Sequence, residues 1–519
     1  MALGTGLSRL SGLLRIFALS FALGVTPLAD AYNLANTTPN MIYDLLIGGV
    51  LSATLVPVFV MSLETEDAAR ARDGICAVLS LAVVVSVLAA VLMVVAAPGL
   101  VRAYTVANSL PVAGTERAVA TQFVRLFAPQ VACYALISMF TALLNVQGRF
   151  AAPTFVPIVN NVVVTAVLLF VGLSFSNVTL GSASGHLLLV LGAGTTAGVA
   201  AQAVALVPAL RRCQLGLRWR WAPSDPAVRQ VVRLSGWLLG IVIANQVALF
   251  VVLLLANSEP GGVTAYTYAY SFFQLPYGVV AVSIMTARQP RWASSWSMGR
   301  PAELWRDAVS GLRLLWRVIL PLAALLAVAA VPLLELLLQH GHTTAAGARL
   351  AGEVLAILAL GLPGFSAYLY AIRMYQAMQN TRSAFGLYLA ENGANVAVAV
   401  AVYRPAGVRG VAASVVVAYT AAAMLAWWRL RRRLAAGSPP RLQVDPDLTA
   451  PVLALVGGGL AALAEQRLET GVLANPAAEI TVAGAVIAAG YVIVDVSGKT
   501  FVRAKRRRRA NRDSRNGPR

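Results

Sequence analysis

An all-α, polytopic membrane fold is predicted by three observations. Hydrophobic residues make up 58% of the 519 and charged residues only 12%, and mean hydropathy is +0.73, a balance that water-soluble chains of this length do not keep. Apolar runs long enough to cross a ~30 Å hydrocarbon core recur along the chain. Arginines crowd into alternate connections between those runs, as short inside loops require.

The first run, 7–25, carries Arg9 and Arg15 within its apolar stretch, and Asp30 follows closely. An arginine at the centre of a bilayer costs roughly 2.5–3.5 kcal/mol on insertion scales, so it normally faces a watery, protein-lined cavity. A cationic cavity points to an anionic cargo. The next five runs are 33–62, 74–97, 119–145, 154–174 and 183–208. Six more follow at 235–256, 264–287, 314–338, 351–372, 384–403 and 408–428, and a last pair at 450–465 and 480–496, giving about fourteen helices.

Orientation follows from the basic residues. The connection after the sixth run holds Arg211, Arg212, Arg218, Arg220, Arg229 and Arg233, and the one after the eighth holds Arg288, Arg291, Arg300, Arg306, Arg313 and Arg317. Arg429, Arg431, Arg432, Arg433 and Arg441, and the tail from Lys499 through the Arg506 to Arg509 run, fall on the same side. The rule places these inside, with both termini cytoplasmic. The connections around Ser174 to His186, Asn257 to Thr264 and His340 to Ala348 have no Lys or Arg and belong outside.

A net charge of +20 raises the question of nucleic acid. The basic residues lie mainly in inside loops and the tail, where anionic lipid headgroups attract each by about 1 kcal/mol, so anionic membrane lipids are the expected partner and nucleic acid is not. Cys76, Cys133 and Cys213 lie in or beside separate runs without metal or disulfide spacing. The start of the chain imitates a secretory signal, but Arg15 interrupts the would-be apolar region, and cleavage is not expected. No phosphate-binding glycine loop, paired catalytic carboxylates or metal-spaced histidines appear, so neither an enzyme nor a cofactor is expected.

The chain also repeats. Asn145 to Phe150 is followed by Pro153, Pro157, Asn160 and Asn161; Gln379 to Arg382 is followed by Phe385, Glu391, Asn392 and Asn395. The offset is roughly 230 residues, or six helices, and an even number keeps both halves in the same orientation, as in parallel-repeat transporters. The expected organisation is an N-lobe at 1–210, a linker at 211–234, a C-lobe at 235–433, related to the N-lobe by a pseudo-two-fold, two extra helices at 434–498, and a basic, solvated tail at 499–519.

Ser8-Arg9 with Gly12 and Arg15, then Asp30-Ala31-Tyr32, Pro39-Asn40, Gly49 to Ala53 and Val56-Pro57, resembles the opening signature of MurJ (MviN)-type lipid II flippases. These belong to the multidrug/oligosaccharidyl-lipid/polysaccharide exporter superfamily. Arg125 to Pro129, Leu144 to Asn161, Leu275 to Gly278 and Arg373 to Arg382 extend the resemblance over about the first 400 residues.

The resemblance implies a transporter in the bacterial cytoplasmic membrane that moves a polyprenyl-pyrophosphate-linked peptidoglycan precursor to the outer leaflet. Cell-wall synthesis proteins are the further partners it suggests. Arginine suits such a cargo, because its planar, permanently charged fork pairs with phosphate oxygens in bidentate fashion. By the same resemblance Arg9 and Arg15 face the pyrophosphate and Asp30 pairs with them. Two family arginines are missing: Tyr43, beside Asp44, and Tyr270-Ser271 occupy their places, with tyrosine and serine hydroxyls as substitute donors. Arg149, Arg382 and Glu391 are the expected gate, with Glu391 open to proton or sodium coupling. A different polyprenyl-linked cargo or a non-transporting envelope scaffold stays open, whereas a drug or ion antiporter would need an acidic cavity. Each residue has a plainer reading too: Arg9 and Arg15 snorkelling to headgroups, Asp30 anchoring a helix start, and the asparagines as inter-helix glue.

Overall fold

The computed structural model describes residues 2–45, 68–108, 113–175, 178–213, 216–234 and 236–434. The expected last two spans, the basic tail and the Gly49 to Pro57 part of the opening signature lie outside the described residues. Among the described residues the chain is helical, with no strand.

Helix α1 (Ala2–Leu23) turns into α2 (Pro27–Tyr43) at an elbow with a physical cause at each step. Gly24 takes φ 68°, and a Cβ there would lie 2.4 Å from the His342 carbonyl oxygen, so only glycine fits. Thr26 then caps α2, its hydroxyl accepting from Ala29 N at 3.3 Å, and Pro27 occupies the first helical position, where its missing N–H costs nothing.

The remaining helices are α3 (Ala68–Tyr104), α4 (Ala113–Phe127), α5 (Gln130–Val146), α6 (Ala151–Ser174), α7 (Gly185–Arg211), the short α8 (Pro226–Leu234), α9 (Gly236–Ala256) and α10 (Gly262–Pro276). After a π-turn at Tyr277–Ala281 come α11 (Val282–Ser297), α12 (Pro301–Leu338), α13 (Ala345–Leu360), α14 (Leu362–Ala377) and α15 (Thr381–Leu434). Each of the first twelve expected spans has a helical counterpart among the described residues, the rest of the second, from 46 on, lying outside them. The fourth is α4 with α5, interrupted at Pro129. The eighth is α10 with α11, where the π-turn follows Pro276, whose ring and missing N–H disrupt the regular ladder. The tenth is α13 with α14, bent by 52°. The eleventh and twelfth share α15, which breaks at Gly407 (φ 55°, ψ −142°).

The repeat seen in sequence reappears in backbone bonding. At the end of α5, Gln147 N donates to Leu143 O, Gly148 N to Asn145 O and Arg149 N to Leu144 O; at the end of α14, Met378, Gln379 and Asn380 donate to Met374, Gln376 and Tyr375 in the same pattern. The central residue has positive φ in both turns, 69° at Gly148 and 53° at Gln379. That conformation satisfies the last carbonyls of a helix while reversing the chain.

Two compact bodies result. The first comprises the chain up to Thr267 with Leu337–Ala348 and Val402–Val408; the second comprises Tyr268–Leu336, Arg349–Ala401 and the residues from Arg409 on. In the first, Tyr32 sets its ring edge-on to Phe123 and Phe127, with centroids 5.6 and 5.5 Å away, and its hydroxyl meets Thr195 at 2.8 Å. In the second, Trp292, Tyr370, Trp427 and Trp305 form a continuous aromatic chain, and Asp307 accepts from Arg288 at 2.7 Å and from Trp292 Nε1 at 2.8 Å. Leu88, Leu92 and Val95 on α3 are exposed, as residues facing acyl chains are.

Gly407 also sits against Glu259, whose Oε1 would lie 2.8 Å from an added Cβ. Gly407→Ala therefore combines an unfavourable backbone region with a collision, and is expected to lower stability by about 1–3 kcal/mol, measurable as a drop in the unfolding temperature of detergent-solubilised protein.

Candidate functional site

Arg9 and Arg15 stand six residues apart on α1, which places them about 120° apart around the helix. They do not share one face. Arg9 is exposed and Arg15 half-buried. Among the described residues neither makes a hydrogen bond or ion pair, so both guanidinium groups keep their donors available. The charge of Arg15 is felt at the hydroxyls of Tyr32 on α2 and Tyr134 on α5.

Those two helices carry a polar patch that sequence reading only half found. Gln130, Tyr134 and Ser138 recur at every fourth position of α5 and so form one stripe. Tyr134 donates to Gln130 Oε1 at 3.4 Å. Tyr43 donates to Ser138 Oγ at 2.5 Å, with its ring 5.9 Å from that of Tyr134. The Tyr43 proton is thus already engaged, and Tyr43 is no ready substitute for the missing arginine. Beside it, Asp44 Oδ2 accepts from Gln246 Nε2 at 3.1 Å; its partner is an amide rather than an arginine. The four-residue spacing of Gln130, Tyr134 and Ser138 was the available signal for this stripe.

Asp30 lies elsewhere and has another partner. It is buried, and its carboxylate accepts from Gly261 N at 2.6 Å, Thr264 N at 2.8 Å and Thr264 Oγ1 at 2.7 Å, while Asn33 Nδ2 donates to Thr264 Oγ1 at 3.1 Å. The first amides of a helix have no intrahelical acceptor, so Asp30 caps α10 from α2 and places a negative charge at the positive end of its dipole. The pairing with Arg9 and Arg15 implied by resemblance is absent here; the plainer reading, a carboxylate anchoring a helix start, matches the geometry.

Further ties flank this one. Glu259 Oε1 accepts from Val408 N at 2.8 Å. Ser20 Oγ donates to Leu338 O at 3.1 Å, Thr343 Oγ1 donates to Ser20 O at 2.8 Å, and His342 N donates to Phe21 O at 3.1 Å. Buried Glu116 accepts from Asn108 at 2.8 Å and Asn257 at 3.0 Å. Two segments expected outside, around 257–264 and 340–348, are therefore bound into the first body, held by α1 and α2, and so is 402–408. Glu116 and Glu259 escaped sequence reading, because nothing in their spacing marks which amides they meet.

Of the expected gate residues, Arg149 belongs to the first body and Arg382 and Glu391 to the second. Arg149 is exposed and donates to Arg212 O at 3.3 Å. Arg382 is exposed in the first turn of α15, whereas Glu391 is buried further along the same helix. Glu391 has no ion pair or hydrogen bond among the described residues, and is felt electrostatically by Tyr270, Tyr368 and Tyr388. Tyr270 meets Gln274 and Tyr419, and Ser271 is half-buried. The asparagines act as glue: Asn161 Nδ2 donates to Ser11 Oγ at 2.9 Å, and Ser414 Oγ donates to Asn395 Oδ1 at 2.8 Å. No group of His, Cys, Asp and Glu suited to a metal ion occurs among the described residues.

Comparison with known proteins accords with this arrangement. The family model described as lipid II flippase MurJ matches residues 19–478. A probable lipid II flippase MurJ of Rhizobium meliloti (strain 1021) is 26% identical over 413 residues, 79% of this chain and 76% of the relative. One from Bdellovibrio bacteriovorus is 27% identical over 441 residues, covering 83% and 81%. Among solved structures, lipid II flippase MurJ in an inward closed conformation superposes with a TM-score of 0.78 at 15% identity, covering 96% of this chain and 99% of that one. An inward-facing MATE family transporter of the MOP superfamily reaches 0.67 at 16% identity, covering 83% and 95%. With most of its length matched by the family model, this chain belongs to the MurJ lipid II flippase family.

Proposed function

We propose that the chain is a transporter, not an enzyme, that flips the lipid II peptidoglycan precursor from the inner to the outer leaflet of the bacterial cytoplasmic membrane by alternating access. The family match over residues 19–478 carries this reading. The chemistry of the first body supports it. A pyrophosphate cannot cross hydrocarbon unaccompanied, and Arg15, half-buried with its donors unused, offers a bidentate partner. Tyr134, within its reach, lies on the α5 polar stripe. Arg9, exposed on another face of α1, meets the incoming headgroup earlier.

Both termini lie in the cytoplasm in this reading, as the arginine-rich connections dictate. An inside-negative potential then favours outward movement of the anionic headgroup by about 2.3 kcal/mol per charge per 100 mV. The ties made by Asp30, Glu259, Ser20 and Thr343 fasten the segments expected outside into the first body. They are bonds of carboxylate or hydroxyl to backbone, so they part without separating an ion pair. Arg149 and Arg382 serve at inner helix ends, and Glu391 is the carboxylate open to a proton or sodium ion.

Two measurements test this. In cells depleted of their own lipid II flippase, the unmodified chain should restore growth and outward exposure of lipid II, and Arg15→Ala should abolish both at equal membrane abundance. Growth restored equally by Arg9→Ala/Arg15→Ala would instead identify a scaffold. Asp30→Ala strips the acceptor from two buried amides and a hydroxyl, at about 1–3 kcal/mol for each unsatisfied group. Its purified form should unfold at lower temperature, and cysteines placed at the outer ends of α1 and α10 should label faster.

A further inference from the structure

The connection between α7 and α9 is built differently from the other loops, and neither the transport site nor the outer ties use it. Residues Gly216 to Ala222 form neither helix nor strand and lie along α3. One set of contacts ties the segment down. Arg218 N donates to Cys76 Sγ at 3.4 Å and Arg220 N to Ser80 Oγ at 3.0 Å, positions four apart on one face of α3. Asp73, one turn earlier, holds Arg218 at 2.6 Å and Arg220 at 3.5 Å, and Asp225 holds Arg220 at 3.3 Å.

The other side is left outward. Leu217, Trp219 and Trp221 are 36%, 65% and 55% exposed, and Trp237 at the start of α9 is 51% exposed. The strap continues into α8, which buries Val228 and Val231 in a cluster with Ile75, Val78 and Leu210 and leaves Arg229 and Arg233 exposed. Large aromatics facing outward between arginines suit neither bulk water nor acyl chains. Tryptophan settles at the headgroup level, where its ring is apolar and its N–H wet, and arginines beside it draw anionic headgroups.

We propose that this strap is a membrane-surface anchor that binds anionic phospholipid of the cytoplasmic leaflet, Trp219 and Trp221 entering the headgroup layer while the exposed Arg229 and Arg233 of the same connection draw lipid phosphates. The occupant is lipid rather than protein because the excess charge is positive and the aromatic row is backed by helices of a chain that spans the membrane. The proposal does not depend on what the transporter carries.

The test uses the full chain in nanodiscs of phosphatidylcholine, alone or mixed with phosphatidylglycerol. Lipids brominated near the headgroup report contact, and acrylamide, a neutral quencher, reports access from water. The difference between the unmodified protein and Trp219→Phe/Trp221→Phe isolates these two of the nine tryptophans. That difference signal should be quenched strongly by bromolipid and weakly by acrylamide. Phosphatidylglycerol should increase the bromolipid quenching, and Arg229→Gln/Arg233→Gln should remove the increase. Full acrylamide access with no bromolipid effect would overturn the proposal, leaving the strap to water or a protein partner. Equal bromolipid quenching with and without phosphatidylglycerol would overturn its anionic selectivity, and both lipid arms need only the aromatic variant.

Discussion

A charge held inside an apolar protein must be met by donors, acceptors or an opposite charge, and in this chain four carboxylates of the first body are met without arginine. Asp30 is satisfied by the first amides of α10, Glu116 by two asparagines, Glu259 by the Val408 amide and Asp44 by Gln246. Each solution engages neutral groups, whose hydrogen bonds to a charge are stronger than those between neutral partners. The consequence falls on α1. Arg9 and Arg15 have no internal counter-ion among the described residues, which leaves their donors available for the proposed pyrophosphate contact.

The same economy shapes the outer ties. A carboxylate accepting backbone N–H groups holds two segments together with directional bonds, while the desolvation of a buried ion pair is avoided. Two close approaches of the chain to itself require glycine: Gly24 under the His342 carbonyl and Gly407 beside the Glu259 carboxylate. Backbone approach and side-chain bonding there belong to one device, since the segments that Ser20 and Glu259 hold come near where no Cβ intervenes.

Much of the fold was legible because membrane insertion writes it into composition. Apolar runs, alternating arginines and the repeated turns after α5 and α14 all follow from local chemistry, and the turns match bond for bond. What escaped was the interruption of spans. Pro129 and Pro276 mark the breaks in α4–α5 and α10–α11, yet a hydropathy window averages over a single proline. At the site, arginine in an apolar stretch was plain, whereas the Tyr134 and Ser138 stripe lay hidden in a helix already accounted for as apolar.

The sequence by itself determined that the chain is a helical membrane bundle, which connections carry the positive charge, and that two arginines stand in its first apolar run. Those are properties of residues against solvent and lipid, and need no partner to be read. Tertiary structure alone decided that Asp30 caps α10 instead of neutralising Arg15, that Tyr43 gives its proton to Ser138, and that Asp73 aligns the tryptophan strap. A hydrogen bond is settled by which donor arrives within about 3 Å at a usable angle, and that depends on helices far apart in sequence.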